Sequence, residues 1–299
     1  MSDSIGALGS QEARLSIALV TRNRPDWLRK CLASWRSQVP QPFEIVISDD
    51  SDAAIEPEVQ SIAREYDCRW IRGPKRGLYA NRNQVAVSCT GTHIMSADDD
   101  HTHPPGFIAA VMTSIAEDPE RIWIFSERSP ARPDIPLRCP PELRPNGTVG
   151  TPQNPSDCAA IACGSSVYPR RVFELGLRCD ESYPFGAIWY LWGRILKRAG
   201  FHITYSDLSF VWHNMDSSKD RAHDMQWFRS QLECSLYVGA VNALRLNRNL
   251  PAIARLVKAA LSYAWPGAMV QNAPGRVRIG PRALVRAVAR AWQTPALPL

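Results

Sequence analysis

Apolar residues fall in short runs over the first hundred positions, alternating with longer stretches of helical spacing. "LSIALVT" (15–21) is a continuous apolar run of strand length, the pattern of a strand covered on both faces. The polar "RNRPDW" turns the chain, and "DWLRKCLASWRSQ" (26–38) then sets Leu28, Cys31, Leu32 and Trp35 at i, i+3, i+4 and i+7, one face of a helix. Asp26, just after Pro25, is placed to cap that helix. "FEIVISDD" (43–50) reads as a second strand ending in two acids, and "EPEVQSIAREY" (56–66) as a second helix. "CRWIRG" (68–73) is a short third strand, "LYANRNQVAVSCT" (78–90) a third helix, and "THIMSA" (92–97) a strand running into Asp98-Asp99-Asp100. Repeated β-α-β units of this length predict an α/β fold with a mostly parallel, Rossmann-like sheet and helices on both faces.

In such sheets ligands collect beyond the carboxyl ends of the strands. Thr21 to Asn23, Asp49 with Asp50, and Asp98 to Asp100 each sit just past a predicted strand, so the three groups are expected to meet in one crevice. A lone Asp there reads as a turn former or a cap. Three acids in a row repel one another, and no Lys or Arg stands beside them in "SADDDH". Some cation usually compensates such a group, either solvent counterions or a bound metal.

Composition sets wider bounds. The chain has 299 residues, 45% hydrophobic and 21% charged, enough for a sizeable core. It has no run of 18 uncharged apolar residues, and "MSDSIGALGSQEARLS" has neither a basic start nor an apolar core. These features predict a cytoplasmic protein without a spanning helix. Eight cysteines without a CxxC pair fit reduced thiols rather than a zinc site or a disulfide framework. From Lys219 onward, twelve Lys and Arg stand against Asp220, Asp224 and Glu233, so this end carries +9 and the first 218 residues −3 of the net +6. A basic end suits an anionic membrane surface, a phosphate-bearing substrate or nucleic acid, or is a solvated face. No helix-turn-helix or zinc-finger signature accompanies it, which ranks nucleic acid last.

The segments "SIALVTRNRPDWLRKCLASWRSQ", "FEIVISDDSD", "GLYANRN" and "SADDDHTHPPGF" together resemble the nucleotide-binding half of the family-two glycosyltransferases of the GT-A fold. The resemblance continues through "GSSVYPRRVFELGLRCDESYPFG" and "GRILKRAGFHITYSDLSFVWH", covering residues 14–213. It implies a flexible N-terminus (1–13), a single GT-A domain (14–215) and a basic C-terminal helical region (216–299). Within the domain, residues 14–103 would form the nucleotide-sugar-binding half and residues 126–215 the acceptor half. The implied activity is inverting transfer from a nucleoside-diphosphate sugar, with Mn²⁺ or Mg²⁺. The acceptor class, whether saccharide, lipid-linked, small molecule or peptide, stays open.

The same resemblance implies individual roles. Asp98-Asp99-Asp100 matches the DXD motif, with Asp98 and Asp100 as metal ligands, Asp98 the nearer to the ribose. His213 matches a position that adds an imidazole to the same ion. Asp50 matches the acid that accepts a hydrogen bond from the base, in a pocket lined by Val20, Thr21, Arg22 and Asn23. Arg82 matches the arginine that orients the acids and faces the diphosphate, where a guanidinium makes paired contacts a lysine cannot.

One departure stands out. Where the family usually carries the acids of its general base, this chain has Gly186-Ala187-Ile188. Asp180 and Glu181 are the nearest replacements, and Asp157 lies in the preceding loop. An acceptor that ionises readily would need little help. The aromatics Tyr183, Phe185, Trp189, Tyr190 and Trp192 read either as an acceptor surface or as core. A sugar-nucleotide-binding pseudoenzyme is one alternative. A nucleotidyltransferase is another, disfavoured because "VTRNRPDW" lacks the glycine-rich phosphate loop.

Between Ser126 and Cys158 the chain carries eight prolines and no periodicity, the mark of a lid or binding loop. Helical patterns return at 225–246, 250–265 and 281–292. In the last, Arg282, Arg286 and Arg290 form one stripe and Leu284, Val285, Val288 and Trp292 another, suiting either an anionic membrane interface or docking onto the body.

Overall fold

The structure is a computed structural model, described here for residues 12–214, 224–270 and 273–294. The expectation of a flexible leader falls mainly on residues 1–11, outside this range. The first strands and helices lie where the hydrophobic pattern places them: β1 (Leu15–Thr21), α1 (Pro25–Arg36), β2 (Glu44–Asp49), α2 (Glu56–Glu65), β3 (Arg69–Arg72), α3 (Leu78–Ser88) and β4 (His93–Asp98). Asp26 does not cap α1. The helix already begins at Pro25, with Arg24 at the cap position making no side-chain capping bond, so Asp26 sits in the first turn, where a carboxylate favours the helix dipole.

Then come β5 (His101–Thr102), α4 (Phe107–Glu117), β6 (Ile122–Arg128), β7 (Glu142–Leu143), β8 (Val149–Gly150), β9 (Ser166–Pro169), α5 (Arg171–Glu174), α6 (Ile188–Arg198) and β10 (Ile203–His213). The main sheet has the order β3-β2-β1-β4-β9-β6-β10-β5. β1 to β4 run parallel, as do β6 and β10. β9 is inserted antiparallel between β4 and β6, and β5 pairs antiparallel with the end of β10. The proline-rich segment is shorter than expected, because β6 extends to Arg128, and β7 and β8 form a small hairpin inside it.

Alternation along β1 divides the core. Leu15, Ile17 and Leu19 face α1, α2 and α4, burying Leu28, Trp35, Ile62 and Phe107 on one side of the sheet. Ala18 and Val20 face Val85 and Ala86 of α3 on the other. A larger cluster gathers Ile122, Ile124, Leu191 and Trp192 with the C-terminal helices. Each fully buried Leu, Ile or Phe here contributes about 1.5–3 kcal/mol.

The C-terminal region comprises α7 (Met225–Val241), running into a wider turn at Asn242–Asn247, then α8 (Leu250–Ala264), β11 (Ala268–Met269), β12 (Arg276–Val277) and α9 (Pro281–Gln293). α9 docks on the body through buried Ala287 and Ala291. Its arginine stripe is largely engaged: Arg286 pairs with Glu233 of α7, and Arg290 donates to the Ser182 carbonyl and lies over the Tyr183 ring. Its apolar stripe is divided, with Leu284 and Val288 half-buried and Val285 and Trp292 exposed. No helix among the described residues is long and apolar enough to cross a membrane.

Candidate active site

Parallel strands deliver their carboxyl ends to one edge, and the acid triplet lies there at the end of β4. Thr21 Oγ1, at the end of β1, donates to Asp99 Oδ2 at 2.7 Å. Arg24 supplies a cation the local sequence does not reveal. Its Nε donates to Asp99 at 3.2 Å, one Nη pairs with the other Asp99 oxygen, and the second Nη reaches Asp100 at 2.8 Å. Arg82 on α3 donates to both oxygens of Asp98 at 2.6 and 2.7 Å and to the Cys163 carbonyl. Two arginines therefore brace the triplet: besides Arg82, expected to orient the acids, Arg24 adds a cation from the chain to the solvent counterions or metal expected there. The repulsion is not fully relieved. Burial pushes the Asp99 carboxyl up to about 7, with Asp100 and Asp98 adding to the push and Arg24 opposing it.

Asp100 belongs to a second group. Asp100, His101 and His213 offer ligand atoms within 4.8 Å of one another. His101 is buried, and its Nδ1 lies 3.3 Å from the Gly164 carbonyl, which requires the proton on Nδ1. Its Nε2 has no hydrogen-bond partner among the described residues and stands 3.9 Å from Asp100 Oδ1. His213 Nε2 is 4.0 Å from Asp100 Oδ2, and its Nδ1 is 2.9 Å from Glu127 Oε2 at the end of β6. Burial alone would lower the His213 imidazole, but Glu127 and the nearby aspartates raise it to about 9. Burial would raise Glu127, and the His213 contact takes it down to about 2 instead. A carboxylate holding one imidazole nitrogen so that the other faces outward is a common support for a metal ligand. An orphaned buried nitrogen beside a carboxylate and a second imidazole fits a divalent cation.

The remaining expected residues are placed as follows. Asp50 accepts from the Lys75 backbone N–H at 2.8 Å beside Gly73, whose missing side chain leaves room for the carboxylate. Burial raises the Asp50 carboxyl. Asp49 instead accepts from the Ser51 backbone and the Trp70 indole. Val20 is buried in the core, and Arg22 is exposed. Asn23 has φ +55° and exchanges hydrogen bonds with Asp52, tying the end of β1 to the loop after β2. Asp98, bound by Arg82, lies outside the three-residue ligand group.

Asp180 and Glu181 are both engaged. Asp180 accepts from the Ser182 backbone and the Tyr237 hydroxyl. Glu181 accepts from Asn83 at 2.9 Å and pairs with Arg76 at 3.1 Å, with its side chain 36% exposed. Ala187 stands at the position before α6 without a side-chain capping bond, and Ile188 is buried at its start. Of the aromatics, Tyr183 and Trp192 are core, while Trp189 stacks on Tyr190 and Phe185 is exposed.

A mostly parallel sheet with one antiparallel strand inserted, and acids on its carboxyl edge, is the architecture of the GT-A glycosyltransferase fold. The chain belongs to glycosyl transferase family 2, whose pattern matches residues 16–175, more than half of its length. The uncharacterized glycosyltransferase YwdF of Bacillus subtilis (strain 168) is 33% identical over 103 residues, covering 34% of this chain and 38% of YwdF. S. aureus TarS 1–349 in complex with UDP-GlcNAc superposes with a TM-score of 0.60 at 14% identity, over 95% of this chain and 82% of TarS 1–349. The mannosyltransferase PcManGT from Pyrobaculum calidifontis, in complex with GDP-Man and Mn²⁺, gives 0.58 at 15% identity, over 97% and 78%. At these identities the likeness is one of fold.

Proposed function

We propose that the chain transfers a glycosyl group from a nucleoside-diphosphate sugar to an acceptor with inversion, using a divalent cation held by Asp100, His101 and His213. The observation that carries this reading is the buried His101 Nε2, which has no hydrogen-bond partner among the described residues and faces Asp100 on the edge that also holds Asp50 and Arg82. The UDP-GlcNAc in TarS and the GDP-Man with Mn²⁺ in PcManGT support the donor class. Two imidazoles in the ligand set favour Mn²⁺ over Mg²⁺.

Each residue has a physical task. Asp50 accepts a hydrogen bond from the base, with the backbone of Val20 to Asn23 along the pocket. Arg82 holds Asp98 toward the ribose, and Arg24 balances Asp99 where charge would otherwise accumulate. Glu127 turns His213 Nε2 toward Asp100. When bound, the cation offsets charge developing on the leaving diphosphate. Of the two replacement bases, Asp180 is tied by Tyr237 and Ser182, whereas Glu181 is partly exposed and is the candidate to take the acceptor proton. A second reading, donor binding without transfer, is favoured by Ala187-Ile188 and by the engagement of both acids.

Calorimetry with UDP and GDP, with and without Mn²⁺, tests the assignment. The expected result is metal-dependent binding, weakened at least ~10-fold in His101→Ala, in line with the loss of a ligand. Glu181→Gln should slow transfer by ~10²–10⁴-fold with donor affinity unchanged. Equal affinity with and without Mn²⁺ overturns the metal role. A wild type that binds donor yet transfers to no acceptor class establishes the second reading.

A further inference from the structure

Six large apolar side chains among the described residues are more than 60% exposed, and four of them fall between positions 250 and 269: Leu250 (81%), Leu261 (67%), Trp265 (70%) and Met269 (69%). Clustering of this kind marks a surface that meets something other than water. Along α8 and its end, Leu250, Val257, Leu261 and Trp265 are spaced by seven, four and four residues, so they share one helix face. The opposite face, with Ala252, Leu256, Ala259 and Tyr263, covers the core. Met269 of β11 continues the exposed stripe beyond the helix.

The charge around this stripe is of one sign. Arg255 and Lys258 stand exposed on α8, Arg248 precedes it, and Arg276 and Arg278 follow on and beside β12. The Arg278 guanidinium lies 4.0 Å from the Trp265 ring centroid. No Asp or Glu occurs anywhere after Glu233. α9 is a poorer candidate, since Arg286 and Arg290 already have partners on the body.

We propose that the exposed face of α8, continued by β11 and β12, lies in the interface of a bilayer carrying anionic lipid. A helix with an apolar stripe, Trp at its end and cations on its flank suits the headgroup boundary, with the stripe shallowly inserted. The absence of any acid along this surface makes the complementary partner negative. The surface also adjoins the proline-rich segment: Asn249 donates to the Pro145 carbonyl, and the hairpin turn at Gly147 lies against Ala252 and Arg255. The membrane would then lie beside the segment that separates the two halves of the domain. This inference is independent of the transfer reaction.

The test is sedimentation of the full chain with vesicles of phosphatidylcholine alone or mixed with phosphatidylglycerol, across a salt series. The wild type is expected to bind the anionic vesicles at low salt and to release as salt rises. Arg255→Ala with Lys258→Ala should weaken binding by about fivefold per charge. Leu261→Glu should remove it, and Arg282→Ala should change it least. These positions are exposed, so urea unfolding should match the wild type and confirm the fold. Indifference of the wild type to both vesicle types overturns the proposal. So does a wild-type dimer, seen by sedimentation velocity, that Leu261→Glu converts to monomer without any vesicle binding, because a second copy would then cover this face.

Discussion

Arg24 settles how three adjacent carboxylates are tolerated, and it does so from a turn that precedes them by more than seventy residues. Asp99 is fully buried and Arg24 mostly so. Breaking a buried pair leaves an uncompensated charge, so Arg24→Ala should cost about 3–5 kcal/mol in urea unfolding. Asp99→Asn in the same background should restore part of that loss, which a purely steric defect would not allow. The triplet itself is plain in the sequence, as is His101 beside it, but a lone histidine after acids carries no signal without its geometry. What distinguishes it is the Gly164 carbonyl, sixty-three residues later, which holds Nδ1 and leaves Nε2 facing the acids. Glu127 was hidden differently. It stands one residue before the end of β6 on the same edge, yet the prolines that follow make Ser126 read as the start of a loop.

At the scale of elements, periodicity located β1 to β4 and α1 to α3 to within about two residues, because each carries a strong apolar pattern. The antiparallel β9 was not legible, since "SVYP" is too short to declare a direction. The packing of α6 was not legible either. Gly193, in mid-helix, lies so close to the Ala159 carbonyl that an added Cβ would collide with backbone. Gly193→Ala should therefore destabilise the fold by about 1–3 kcal/mol by urea unfolding, although alanine is the better helix former. The C-terminal helices appeared in sequence with the right extents, and of the two readings left open for the last of them the structure shows the docked one. α9 turns Ala287 and Ala291 to the body and leaves Val285 and Trp292 exposed, whereas α8 covers the core with one apolar face and keeps a second one outward.

For the molecule as a whole, the position of β9 fixes when the two parts of the sheet can be joined. β4 and β6 never pair with each other; both pair with a strand that is made some forty residues after β6 ends. A chain emerging from the ribosome can close β3-β2-β1-β4 early, but β6 must wait for β9, ending at Pro169, to cover one edge and for β10, ending at His213, to cover the other. Closing distant segments is slow, and open strand edges invite aggregation while they last. Fragments ending near residue 130 should accordingly be digested rapidly between β4 and β6 in limited proteolysis, whereas the full chain should resist there. The strand that stands between β4 and β6 in space also sets the moment in synthesis before which neither of the edges facing it is safe.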